Sequence, residues 1–195
     1  GPGTNLNNYT ISYDPTGVYK VNPAPITIKA NTQSKTYGSL GLLDGTKFTL
    51  IDGTTMFNGD TITSVTQESA GTPETAPAGN YTITTSKAEA GSGTDLGNYA
   101  ITYDNTGIYT VDPALITIKA DAQGKIYGDL GVLDGTKFSL INGTTMFNGD
   151  TIASVTQVSD GTPVTAPEGP YAITPSAAVA GDGTDLNNYT ISYDK

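Results

Sequence analysis

ITIKA at 26–30 places Ile26 and Ile28 on one side and Thr27 and Lys29 on the other. This alternation predicts a half-buried strand. It follows VNPAP, where Pro23 and Pro25 lack the N–H that a ladder needs. The proline cluster returns as VDPAL at 111–115 and marks the expected joint between units. KTYG at 35–38 and KIYG at 125–128 predict a turn at each glycine. In 42–63, Asp52-Gly53 and Asn58-Gly59 suit two-residue hairpin loops. The expected meander is Phe48–Ile51, Thr54–Phe57 and a strand from Thr61. Ile62 and Val65 lie three apart, so that strand needs a bulge or one helical turn. A proline-punctuated loop at 70–84 leads into a strand carrying Tyr81 and Ile83. NYAITYD at 98–104 sets Tyr99, Ile101 and Tyr103 on one face. DNTG at 104–107, or DPTG at 14–17, fits a type I turn, and GIYTV at 107–111 then closes a hairpin. Seven short strands of this kind predict an all-β, Ig-like sandwich. The alternative is a β-grasp-like unit with one short helix at 61–68.

The pattern recurs. GTDLGNYAITYD at 93–104 returns as GTDLNNYTISYD at 183–194 and has already occurred as GTNLNNYTISYD at 3–14. Residues 16–105 align with 106–195 without a gap at roughly 70% identity, the signature of a tandem array of folded units. We therefore expect residues 1–23 to be the terminal hairpin and linker of a preceding repeat. Residues 24–113 and 114–195 form two repeats, the second lacking its last strand. The equivalent of that strand is in the N-terminal hairpin, Tyr9–Tyr13 with Val18–Val21. An open sheet edge invites an added strand, so head-to-tail self-association between copies is a further expectation.

Charge narrows the partners. The chain of 195 residues carries net charge −10, and its nine basic residues are all Lys. Without clustered cations, nucleic-acid binding has no basis, and anionic membranes repel the chain. No apolar run reaches the ~20 residues of a membrane helix.

Candidate chemistry is sparse. With no His or Cys, neither Ser–His nor Cys–His catalysis can be built. Paired carboxylates cleave glycosides, but Glu68, Glu74 and Glu89 meet Val158, Val164 and Val179 in the other copy, and Glu168 meets Ala78. No catalytic, metal-ligating or cofactor-binding residue is assigned, and no cofactor is expected. GSGTDLGNY at 91–99 carries the G-x-G-x-D core of stacked calcium-binding turns. It occurs once per unit, so Asp95 is expected to bond its own backbone. Asp44, Asp104 and Asp112 near the proline joint offer hard oxygen ligands. Lys29, Asn58, Asn98 and Asp60 recur in both copies, so composition permits a Lys–Asn cross-link, with solvated lysines and turn asparagines as the alternative. The twelve tyrosines suit either core packing or a glycan-stacking surface.

A (Y)TV-x-P-A-x-ITI-K-A strand, K-x-YG, G-D-T, G-x-Y-x-I and NY-x-I-x-Y follow one another here. In that order they resemble the MBG repeats, YGX type, of large bacterial surface and secreted adhesins. Tyr37-Gly38 and Tyr127-Gly128 match the naming motif; Gly59-Asp60, Tyr81, Asn98-Tyr99 and Tyr109 match the rest. The TPETAPAGN loop departs from the pattern. The resemblance implies an extracellular, mostly β module without catalytic residues. It implies a stalk or spacer that projects a distant binding tip, its partners being neighbouring repeats. The alternative is a repeat that itself binds a glycan or protein ligand.

Overall fold

The computed structural model describes residues 1–194. Between Ala24 and Asp112 it has seven strands: β1 (Ala24–Ala30), β2 (Gln33–Thr36), β3 (Phe48–Ile51), β4 (Ile62–Glu68), β5 (Gly79–Ala90), β6 (Tyr99–Asp104) and β7 (Gly107–Asp112). They form a three-stranded sheet, β3-β1-β6, and a four-stranded sheet, β2-β7-β5-β4. The expected all-β sandwich is therefore present. The alternation read in β1 is kept: Ile26, Ile28 and Ala30 are buried. Ile83 of β5 and Tyr109 and Val111 of β7 are buried from the other sheet. Each fully buried Ile or Val side chain contributes about 1.5–3 kcal/mol.

Several local expectations need correction. Segment 61–68 is a strand, not a helix, and register shifts at Ile62/Ser64 and Val65/Thr66 accommodate the three-residue spacing as bulges. Pro25 lies inside β1, exposed at its start, rather than ending the ladder before it. Thr54–Phe57 is not a strand. The Asp52-Gly53 turn has φ of 60° and 68°, so the chain does reverse. The returning segment is held by side chains instead of a ladder. Thr54 Oγ1 donates to the Ile51 carbonyl and accepts from the Thr27 N–H at 3.2 Å.

The closing hairpin is also absent. β6 pairs with β1, and β7 with β2 and β5. The β1–β6 and β2–β7 ladders are parallel, where an Ig-like reading expects antiparallel neighbours. Ala24 faces Tyr99 and Gln33 faces Tyr109. Thus two neighbouring stretches, 24–36 and 99–112, run side by side and cross together from one sheet to the other. Residues 104–107 carry the chain onward. Asp104 Oδ1 accepts the Thr106 N–H at 2.7 Å, the local bond expected there, while Asn105 Oδ1 accepts the Thr85 N–H at 2.9 Å and ties the crossing to β5. The DPTG copy, outside any sheet, does turn at Pro15 and Thr16.

Only Pro113 separates β7 from β8 (Ala114–Ala120). β9 (Phe138–Leu140), β10 (Ile152–Val158), β11 (Thr174–Ala180) and β12 (Tyr189–Tyr193) follow. They form sheets β12-β8-β9 and β10-β11. Ala114 faces Tyr189 as Ala24 faces Tyr99, so the register repeats. Among the described residues no strand answers to β2 or β7. Ile173 is half-buried where Ile83 is fully buried.

Residues 1–23 contain one 3-10 turn, Leu6–Asn8. Tyr9–Tyr13 and Val18–Val21 form no strand and are exposed, with Tyr19 at 94% and Val18 at 91%. The expected hairpin is missing because an isolated two-stranded ribbon has no apolar face to pack on. The 3-10 turn survives because it is local. Asn5 Oδ1 accepts the Asn7 N–H, just as Asp95 accepts from Gly97 and Asp185 from Asn187.

Candidate functional site: the joint between units

The most elaborate polar cluster lies where the two units meet. The KTYG turn of the first unit projects from the end of β2, with Tyr37 buried and Gly38 at φ +83°. Tyr37 N–H donates to the Asp112 carbonyl at 2.8 Å, tying the turn to the last residue before the joint. Its ring meets Tyr189 of the second unit edge to face, centroids 5.4 Å apart. Asp150 Oδ2 accepts from both hydroxyls, Tyr37 at 2.9 Å and Tyr189 at 2.8 Å. Asn188 Oδ1 accepts the Ala78 N–H at 2.8 Å, and Asn148 Nδ2 donates to the Glu74 carbonyl at 3.2 Å. A Cβ on Gly38 would come within 2.2 Å of Phe147 Cγ. The glycine is thus required by its backbone conformation and by the seat it occupies.

The joint is apolar beneath these bonds. One continuous buried cluster runs from Ala30, Ile83 and Tyr109 through Val111 and Ala114 to Ile116 and Tyr189. Burial raises the Tyr189 hydroxyl well above the ordinary tyrosine range. The Phe147 N–H opposes this, while Asp150 and Tyr37 add to it. Burial likewise raises Tyr37. Two protonated hydroxyls on one carboxylate form charge-assisted bonds, the stronger class. This arrangement holds the two units in one position, with the Asp150 carboxylate engaged by both hydroxyls.

The same residue types occur at the other end of each unit, in a different state. In the first unit Tyr99 donates to Asp60 Oδ2 at 2.7 Å and receives the Phe57 N–H at 3.0 Å, forming the same pocket. Asn98 there is exposed, whereas Asn188 is 6% exposed. In the second unit Tyr127 is 71% exposed, and a Cβ on Gly128 would meet nothing within 4 Å. Each unit therefore carries a Tyr-Gly plug and an Asp-Asn-Tyr socket. One plug and one socket meet within the chain.

A second cluster was not foreseen. Lys35 is 9% exposed, and its ammonium donates to the carbonyls of Ser39, at 2.8 Å, and Pro73. Desolvation lowers its pKa, partly offset by Glu74. Lys125 repeats these contacts with Asp129 and Pro163 from a more open position. The lysine of K-x-YG thus fastens the plug turn to the proline-punctuated loop. The socket was equally hard to foresee, since its aspartate and tyrosine lie 39 residues apart in the chain. The only sequence signal is that Asp60, Asn98 and Tyr99 all recur.

The other candidates are placed as follows. Asp60 and Tyr99 come together in the socket, but Lys29 lies opposite Asp104 at the far end of β1. Asp95 accepts its own backbone, as expected for a glycine-rich turn. Asp44, Asp104 and Asp112 are not gathered, and the described residues hold no cluster of three or more potential metal ligands. Tyr37, Tyr99, Tyr109 and Tyr189 are buried.

No curated protein and no solved structure matches this chain. Comparison with protein families matches the MBG domain (YGX type) over residues 26–110 and again over 116–195. With both matches falling on the strand sets described above, the chain belongs to the MBG domain (YGX type) family as two tandem repeat domains.

Proposed function

We propose that this chain is a spacer region of an extracellular bacterial surface or secreted adhesin. Its repeats hold a distant binding tip away from the cell. The observation that carries this reading is the joint. A one-residue linker, a continuous apolar core and the Tyr37–Asp150–Tyr189 cluster fix one repeat against the next. Units free to swivel would need none of these. No catalytic role is assigned to any residue.

Paired spin labels, one on each unit, test the reading. A narrow inter-unit distance distribution is expected, broadening when Tyr37 is replaced by Ala. An equally broad distribution in the unsubstituted chain would overturn the spacer reading. Saturable binding on a glycan array would favour a repeat that binds its own ligand.

A further inference from the structure

We propose that copies of this chain join head to tail by strand donation. Residues Gly17–Asn22 of one copy fill the groove in the second unit of another, and the plug at Tyr127-Gly128 of the receiving copy enters the socket at Asp60 and Tyr99 of the donor. This inference goes beyond the spacer reading and concerns the 195 residues as a separate molecule.

The groove is a cavity of about 660 Å³ lined by Gln123, Lys125, Gly161, Ala166, Tyr171 and Ile173. Their counterparts surround β7 in the first unit. Gln33 and Tyr81 face Tyr109, and Ile83 faces Gly107. The groove is therefore the seat of a β7-like strand. Apart from Pro170, which has no N–H, the backbone donors and acceptors of 169–173, whose counterparts 79–83 pair with β7 in the first unit, belong to no ladder here. An unpaired sheet edge of this kind takes up an extended segment.

The occupant is specified by sequence. GVYKVNP at 17–23 differs from GIYTVDP at 107–113 only at Val18, Lys20 and Asn22. The two inward residues are identical: Tyr109 and Val111, 0% and 1% exposed, correspond to Tyr19 and Val21, 94% and 82% exposed. The donor segment thus carries the two side chains that fill this seat in the first unit, and it now leaves them in water. Pro23 then leads into β1 of the donor as Pro113 leads into β8.

The second contact follows from the first. Strand donation would place the donor's first unit after the acceptor's second unit in the relation already seen across Pro113. Tyr127, 71% exposed, would then meet Asp60 and Tyr99 as Tyr37 meets Asp150 and Tyr189. Two contacts closing in one geometry reinforce each other.

The register supplies the test. Ile108 faces Thr82 on the outer face of the first unit. Val18 of the donor should therefore face Ala172 of the acceptor. A single-cysteine chain carrying Val18→Cys, mixed with one carrying Ala172→Cys, should yield a disulfide-linked heterodimer. Sedimentation of the unsubstituted chain should show association that grows with concentration. Val21→Lys should weaken that association by more than about tenfold, because a second ammonium would be buried opposite Lys125, the counterpart of Lys35 that faces Val111. Tyr127→Ala should weaken it further. Both substituted residues are exposed, so each variant retains its fold. A monomer at the highest attainable concentration, or association unaffected by Val21→Lys, would overturn the proposal.

Discussion

Tyr109 is fully buried, and its hydroxyl has no hydrogen-bond partner among the described residues. Burial alone raises its pKa. A buried polar atom without a partner costs about 1–3 kcal/mol, while the ring around it is a large apolar gain. The two effects can be separated. Tyr109→Phe is expected to leave thermal stability unchanged or raise it by up to about 1 kcal/mol. Tyr109→Ala should cost about 3–5 kcal/mol through the cavity it leaves. Chemical denaturation of the two variants checks this, and a destabilised Phe variant would mean that the hydroxyl has a bonding role. The tyrosines at alternating strand positions suit core packing for Tyr109 but leave a surface role equally open, and Tyr19, in the same pattern, is 94% exposed. Nothing in that alternation tells whether a buried hydroxyl finds an acceptor, because the acceptor, as for Tyr37, can come from another unit.

Elements that depend on their own residues were legible in the sequence. β1 and β6 follow from alternation, and the Asx-supported 3-10 turns recur even at Leu6–Asn8, where no sheet is present. Elements defined by partners were not. β7 read as half of a hairpin because it follows β6 closely. Its pairing is instead decided by β2 and β5, 76 and about 30 residues away in register. Thr54–Phe57 failed for a related reason: its Phe57 N–H is bonded by the distant Tyr99 hydroxyl rather than by a ladder. Of the joint, the plug glycine was legible as a turn former, but its fit against Phe147 was not. The two plugs make this difference measurable. Gly38→Ala and Gly128→Ala share the cost of the left-handed conformation, roughly 1–2 kcal/mol. Only Gly38→Ala adds overpacking at the joint, about 1–3 kcal/mol more. In dilute solution Gly38→Ala should therefore melt clearly lower. Equal melting temperatures would mean that the joint contributes little to stability.

For the whole molecule, the joint links cohesion to pH. The Tyr37 and Tyr189 hydroxyls are held protonated above their ordinary value of 10.0. Between that value and their raised ones, the folded chain keeps protons that the unfolded chain has released. Their stabilisation is complete below about pH 10 and is lost as pH rises through the raised values. Melting temperature should fall from about pH 10 upward, less steeply in Tyr37→Phe. A melting temperature unchanged into strong alkali would contradict this assignment. The paired course of 24–36 and 99–112 has a separate consequence. Load applied along the array enters a unit at Ala24 and leaves at Asp112. These lie at opposite ends of two stretches that run parallel to each other. Tension therefore slides one stretch lengthwise past its neighbour, and the β1–β6 and β2–β7 hydrogen bonds resist it together. They are not peeled open one at a time, as at the mouth of a hairpin.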